Sequence, residues 1–138
     1  MPVIRRAEEG DGEAIAAIQA ACPEAAHWPV AQYKPYEFTV SIAEGAVAGF
    51  LVWRRLAEGE YEVLNLAVAP AFRRRGIARE LLSPLLNLPG SRIFLEVRES
   101  NHAARIFYKS MGFQEVSVRN LYYEFPSEAA IVMKFHSC

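Results

Sequence analysis

Three arginines, Arg73-Arg74-Arg75, stand directly before Gly76-Ile77-Ala78, while the acids of the chain are spread elsewhere. Adjacent guanidinium groups followed by a glycine and a helical apolar pattern are chemistry for an anion. Positive charge at a helix start opposes the helix dipole, at a cost of about 0.3–1 kcal/mol for a charge within the first turn. A bound anion reverses that sign. Unpaired N–H groups of a first turn, with guanidinium forks beside them, suit a pyrophosphate. Gly76 permits close backbone approach and Ala78 keeps the first turn uncrowded. From the arginines alone, a solvated basic loop competes with this reading. Two nucleotide classes are excluded, because neither G-x-x-x-x-G-K-[ST] nor G-x-G-x-x-G occurs.

Glu96 is a carboxylate inside the apolar run Ile93-Phe94-Leu95-Glu96-Val97. A carboxylate buried there without a partner would accept a proton near neutral pH; the alternative is a cross-strand ion pair, with Arg98 or Arg105 as partner. Between Asn101 and Met111, the apolar residues Ala103, Ile106, Phe107 and Met111 read as one helix stripe. Asn101, Arg105 and Tyr108, at i, i+4 and i+7, read as the opposite one. That spacing places Tyr108 on the polar side beside Asn101, as an exposed tyrosine or as part of a site. His27, His102 and His136 have no partner spacing and receive no chemistry. Cys22 and Cys138 lie far apart without ligand spacing, so they read as reduced thiols and no metal site is expected.

The elements that position these residues follow from pattern. Val3 to Ala7 reads as a short strand. Asp11 begins a helix with apolar positions at Ile15, Ile18 and Cys22, ended by Pro23. The stretch from His27 to Tyr36 reads as a short helix or a loop. Phe38 to Ala43, Val47 to Arg54 and Tyr61 to Val68 are β-rich, punctuated by Gly45 and Glu58-Gly59, as in an antiparallel meander. Gly76 to Leu86 then carries Ile77, Ala78, Leu81, Leu82, Leu85 and Leu86 as a helix stripe, with Pro84 on its polar side. A strand from Arg92 to Val97, a helix from about Asn101 to Ser110, and strands from Phe113 to Val118 and Ala130 to Phe135 complete the chain. The expected class is α/β: a mixed sheet of antiparallel N-terminal strands followed by a parallel strand-helix-strand unit. A right-handed crossover gathers ligands at the carboxyl ends of parallel strands and the helix starts beyond them. By sequence position, the arginine loop, Glu96 and Asn101 fall at such an edge.

Length and composition agree. A chain of 138 residues fits one domain, residues 1–138, burying roughly two-thirds of its unfolded surface. It is 52% hydrophobic and 22% charged with a net charge of −1, which argues against a nucleic-acid coat or a binder of anionic membranes. The N-terminus lacks a signal-peptide core and no apolar run reaches about 18 residues, so a cytoplasmic location is expected.

The stretch Val68-Ala69-Pro70-Ala71-Phe72-Arg73-Arg74-Arg75-Gly76-Ile77-Ala78 resembles the acetyl-CoA signature [QR]-x-x-G-x-[GA] of the GCN5-related N-acetyltransferase (GNAT) family. Leu95-Glu96-Val97-Arg98-Glu99-Ser100-Asn101, then Ala104, Tyr108 and Gly112-Phe113, continue the likeness. Arg119-Asn120-Leu121-Tyr122-Tyr123 and Ala130-Ile131-Val132-Met133 extend it toward the branch that acetylates the N-terminal alanine of ribosomal proteins. The resemblance covers about residues 61 to 135 well, and the first 60 in general layout.

What the resemblance implies is an enzyme using acetyl-CoA as co-substrate. The strand residues Leu66, Ala67 and Val68 would pair with the pantetheine arm, with the Val68 N–H at the developing oxyanion. The loop Arg73, Arg74, Arg75, Gly76, Ile77, Ala78 and Arg79 would hold the pyrophosphate, largely through backbone N–H groups. Asn101 would contact the cofactor. Glu96 matches the general base, Tyr108 the general acid, and Tyr122 with Tyr123 would wall the acceptor groove. A peptide α-amine titrates at about 7.7–8.0, so much of it is already neutral near pH 7.5. A tyrosine near 10 is a weaker acid than a thiol near about 8.5, so Tyr108 should stabilise the leaving thiolate chiefly by a hydrogen bond.

The implied acceptor is the N-terminus of a protein, a ribosomal protein first. A small-molecule amine or amino acid is the alternative, and a non-catalytic CoA-binding module a further one. The chain departs from the family pattern in a short Gly76 to Glu96 segment with Pro84 and Pro89. It departs again in a tail, Glu124-Phe125-Pro126-Ser127, that lacks the usual polar loop.

Overall fold

Burial with period two marks the strands. Val63, Asn65 and Ala67 are buried while their neighbours are half-buried, and Ile93, Leu95 and Val97 repeat the pattern. The computed structural model describes residues 3–22, 36–124 and 127–137, without the side chains of 121–124 and 127. The expectations for Pro23, His27, residues 27–35 and Cys138 lie outside these.

In chain order the elements are β1 (Val3–Arg6), α1 (Gly12–Ala21), β2 (Glu37–Ala43), β3 (Ala46–Ala57), β4 (Glu60–Val68), α2 (Ile77–Leu86), β5 (Arg92–Arg98), α3 (His102–Ser110), β6 (Gln114–Glu124) and β7 (Ser127–His136). Short 3-10 turns at Glu9–Asp11 and Pro70–Phe72 lead into α1 and out of β4. The strands form one seven-stranded mixed sheet in the order β1-β2-β3-β4-β5-β7-β6. The fold is therefore the expected mixed α/β sheet, with a parallel β4–β5 ladder from Glu60 opposite Arg92 to Glu62 opposite Phe94. β1, β2 and β3 pair antiparallel, as do β5 with β7 and β7 with β6.

The chain divides into two compact units. Met1–Arg54 with Val63–Pro84 make the first, and Arg55–Glu62 with Leu85–Cys138 the second. In the first, Ile15, Ile18 and Cys22 of the α1 segment pack on Val40, Phe50, Val52 and Ala67. Asp11 fixes the start of this helix: Arg5 donates to its two carboxylate oxygens at 2.8 and 2.9 Å, and the Glu8 N–H donates at 2.7 Å. α2 buries Ile77, Leu81, Leu82 and Leu85, while Pro84 faces solvent, where its missing N–H costs least. Gly49 on β3 gives this helix its seat. A Cβ there would lie 2.9 Å from the Ala67 carbonyl oxygen and 3.3 Å from Ile77 Cγ2.

In the second unit one face of β5 and β7 carries Ile93, Leu95, Val97, Ile131 and Met133, all buried. α3 lies on that face through a chain of rings. Tyr108 meets Phe113 edge-on at 5.3 Å between centroids, and Phe113 meets Phe135 at 5.5 Å. Here the structure reverses the expected helix stripe. Tyr108 is buried, whereas Ile106, placed in the apolar stripe from spacing, is 68% exposed. The contact with Phe113, itself stacked on Phe135, outweighed the hydrophobicity of a single isoleucine.

Candidate active site

The site residues of the first unit lie where β4 ends and α2 begins. Arg73 is extended, but Arg74 has φ +65 and Gly76 φ +77. Two left-handed residues within three positions bend the loop sharply, and at Arg74 that conformation costs about 1–2 kcal/mol. Strain of this kind persists where surrounding contacts fix it, and two contacts do so here. Arg73 Nη2 donates to Cys22 Sγ at 3.4 Å, and the same thiol donates to the Val68 carbonyl at 3.6 Å. Arg75 Nη1 donates to Glu44 at 2.7 Å and its guanidinium stands 5.0 Å from the Phe72 ring centroid.

Two of the three arginine side chains are thus tied to the protein. The first intrahelical bond closes from the Glu80 N–H to the Gly76 carbonyl at 3.0 Å. The N–H groups of Ile77, Ala78 and Arg79 belong to the first turn, which has no intrahelical acceptor for them. The part of the loop suited to an anion is therefore backbone more than guanidinium, and Gly76 is glycine for its φ. No atom stands within 4 Å of a Cβ placed there. Leu66, Ala67 and Val68 are the last residues of β4, with Ala67 buried and its neighbours half-buried.

The site residues of the second unit lie on β5, α3 and β6. Asn101 caps α3, its side-chain oxygen accepting from the Ala104 N–H at 3.1 Å. The loop before it is clamped by Glu128, which accepts from Arg98 Nη1, the Ser100 N–H and the Ser100 hydroxyl, each at 3.1 Å. Glu96 is not an unpaired buried acid. Arg119 Nη1 donates to Glu96 Oε1 at 2.6 Å, and the Glu96 side chain is 21% exposed. The partner is neither Arg98, which holds Glu128, nor Arg105, which holds Glu115.

Glu96 and Tyr108 lie on opposite faces of the β5–β7 layer. Glu96 is opposite Val132 and shares its face, whereas Tyr108 stacks by way of Phe113 on Phe135, which is opposite Ile93. Burial alone pushes the Tyr108 phenol well above its ordinary value, so near neutral pH the group is protonated and a poor acid. Tyr122 and Tyr123 lie on β6, Tyr123 opposite Glu128.

Four contributors escaped the sequence: Gly49, Glu44, Arg119 and Glu128. For Gly49 and Glu44 no local pattern signals the contact. Arg119 and Glu128 lie beyond the strands expected at Phe113 to Val118 and Ala130 to Phe135, since β6 runs on to Glu124 and β7 begins at Ser127, and only strand register shows which acid or base each meets.

The seven-stranded mixed sheet with its parallel β4–β5 pair is the fold of the acyltransferases that use a CoA thioester as donor. Residues 7–113 match the Acetyltransferase (GNAT) family, and the chain belongs to it. It is 37% identical over 117 residues to the N-alpha-acetyltransferase RimI of Mycobacterium tuberculosis, covering 78% of this chain and 74% of that one. It is 36% identical over 97 residues to the [ribosomal protein bS18]-alanine N-acetyltransferase of Haemophilus ducreyi, covering 65% of this chain and 66% of that enzyme's length. The crystal structure of the ribosomal-protein-S18-alanine N-acetyltransferase from Escherichia coli matches with a TM-score of 0.81 at 28% identity, over 100% of this chain and 96% of that one. The chain is thus an acetyltransferase whose donor is acetyl-CoA. No helix of the described residues is long and apolar enough to cross a membrane.

Proposed function

We propose that the chain, its two units working as one catalytic domain, transfers the acetyl group of acetyl-CoA to the N-terminal α-amine of a protein in the cytoplasm. A ribosomal protein is the natural acceptor, since the Haemophilus ducreyi and Escherichia coli relatives are named as acting on one. The observation that carries the donor half is the loop from Arg73 to Arg79, whose side chains at Arg73 and Arg75 brace the backbone while the first turn of α2 offers its N–H groups to a pyrophosphate.

The residues then divide the chemistry. The backbone of Leu66, Ala67 and Val68 aligns the pantetheine arm as an added strand would, and the Val68 N–H meets the thioester oxygen. The neutral amine attacks the thioester carbon; the N–C bond forms, the C–S bond breaks, and CoA leaves as a thiolate. Glu96 takes the proton that the amine sheds. Tyr108, on the face opposite Glu96, donates a hydrogen bond to the departing sulfur, so the sulfur and the amine proton leave toward opposite sides of the sheet, and its buried, protonated phenol supports that role. Asn101, whose side-chain oxygen caps α3, contacts the donor in this reading, and Tyr122 and Tyr123 wall the acceptor groove.

The test is acetylation of a peptide library varying the first four residues, read by mass spectrometry. Modification confined to the α-amine of a subset of peptides is expected. Acetylation of small amines with no peptide modified would establish the small-amine alternative, and thiol release from neither would leave a CoA-binding module.

A further inference from the structure

The Glu96–Arg119 pair spans a whole strand. β5 and β6 lie on either side of β7, and neighbouring strands stand about 4.8 Å apart, so roughly 10 Å separates them. In register, Glu96 is opposite Val132 and Arg98 is opposite Ala130, while across the same strand Ser117 is opposite Val132 and Arg119 is opposite Ala130. Arg119 therefore reaches diagonally over β7 to make its 2.6 Å bond. What lies beneath the crossing is Ala130, which is fully buried. A methyl group is the side chain over which two arginines, Arg98 and Arg119, can lie from opposite sides. Arg98 completes the arrangement by bonding Glu128 on the same face, so each of the two arginines holds an acid there.

We propose that Arg119 is a positioning residue for the acetyl transfer, with Ala130 as the floor that lets it act; this rests on the reading of Glu96 as the base. A single bond to Oε1 fixes the orientation of the carboxylate and leaves Oε2 outside that bond, available to face the acceptor amine. An unrestrained glutamate would sample several rotamers, most of them with neither oxygen toward the amine. Arginine suits the task by length. A lysine in its place ends about 1 Å short and offers no planar fork.

The experiment compares steady-state kinetics of the full chain with Arg119→Gln, Arg119→Lys, Glu96→Gln and the double variant Arg119→Gln/Glu96→Gln, using acetyl-CoA and the best acceptor found, with thermal melting of each. Glu96→Gln should lower kcat about tenfold, less than the roughly hundredfold at the low end of general-base contributions because much of the α-amine is already neutral. Arg119→Gln should lower kcat about fivefold with KM for acetyl-CoA unchanged, and the double variant should be no slower than Glu96→Gln, because two residues acting through one carboxylate are not additive. Arg119→Lys should recover part of the loss. Ala130→Leu, which keeps both charges but raises the floor, should reproduce the kcat loss and decides the matter if Arg119→Gln fails to fold.

Arg119→Gln at wild-type kcat while Glu96→Gln is slow would overturn the positioning role alone. A double variant slower by the product of the single losses would overturn it too, since Arg119 would then act independently of Glu96. Glu96→Gln at wild-type rate would remove the base assignment first, and the positioning role with it.

Discussion

The Arg75 guanidinium lies 2.7 Å from the Glu44 carboxylate, tying the arginine loop to the turn between β2 and β3. Both partners are at least half exposed, so the pair adds little to folding stability. Its effect falls on the anion. Glu44 is a negative charge beside the loop proposed to hold the pyrophosphate, and it pairs with the guanidinium of Arg75. Glu44→Gln leaves Arg75 an amide oxygen to donate to, so the loop stays braced while the charge is removed, and acetyl-CoA should bind about two- to threefold tighter at low ionic strength, with the gain vanishing near 1 M salt as the Debye length falls to about 3 Å. Isothermal titration at two salt concentrations measures this; weaker binding in the variant at low salt would contradict it.

Gly76 sits at φ +77 with open space around its missing side chain. Alanine there meets a backbone penalty and no clash, of order 1–2 kcal/mol. The loop should relieve it by flattening, which moves the first-turn N–H groups. Gly76→Ala is expected to raise KM for acetyl-CoA about tenfold, the kinetic equivalent of that penalty, while kcat at saturating donor holds within about twofold. A fall in kcat with unchanged KM would mean that the loop acts on chemistry instead of donor binding.

Much of this fold was legible because its strands and α2 obey simple periods. Ile77, Leu81, Leu82 and Leu85 recur at helical spacing and all four are buried, and Pro84 falls on the exposed side as its position required. The parallel ladder of β4 and β5 follows from a strand, a crossover helix and a strand. The helix α3 was misread at one level only. Its span was right, but with apolar and polar residues around much of its circumference the spacing allowed two faces. The ring partners that chose between them, Phe113 and Phe135, are separated by 22 positions in the chain, which no local pattern connects. The same distance problem hid Arg119, which is 23 residues from the Glu96 it holds. Glu44 and Arg75, 31 apart, are a third case.

Tyr108 should matter more than Glu96 to the chemical step. With a peptide acceptor at pH 8 the amine is largely neutral, so Glu96 removes a proton that is easily lost, whereas the thiolate needs its hydrogen bond whatever the pH. Tyr108→Phe should lower kcat more than Glu96→Gln under those conditions, the reverse order being the outcome that defeats the assignment. Burial also makes a spectroscopic prediction. An ordinary tyrosine ionises near about 10, but the Tyr108 phenol is pushed above that. The folded protein should show the same absorbance change near pH 10 as Tyr108→Phe, and the difference between them should emerge only at higher pH. Because the folded value is the higher one, the stability linked to Tyr108 is intact below about pH 10, where the unfolded phenol ionises, and is lost as pH rises toward the folded value.

At the acid end Asp11, Glu115 and Glu128 are all held below the usual carboxylate range, and Asp11 is the buried one. Its side chain is 8% exposed, and Arg5 and the Glu8 N–H hold both oxygens at 2.7–2.9 Å. The Arg5 hydrogen bond comes first among the causes that keep this carboxylate below its usual range; the Glu8 N–H and the Arg5 charge add to it, while burial opposes. A folded value lower than the unfolded one gives stability that is present above about pH 3.9, where the unfolded carboxylate titrates, and lost as pH falls through the folded value. Asp11→Asn should therefore cost about 1–2 kcal/mol at pH 7, less than a fully buried pair because Arg5 reaches solvent. The gap between variant and wild type should shrink below pH 4. Urea unfolding at pH 7 and pH 2.5 checks both limbs, and a gap of equal size at the two pH values would rule out the linkage. The consequence reaches the active site through α1. Asp11 anchors the start of the segment whose end carries Cys22, the residue on which Arg73 rests. Asp11→Asn should thus also raise KM for acetyl-CoA modestly, a change that Glu13→Gln, on the exposed side of the same first turn, should not make.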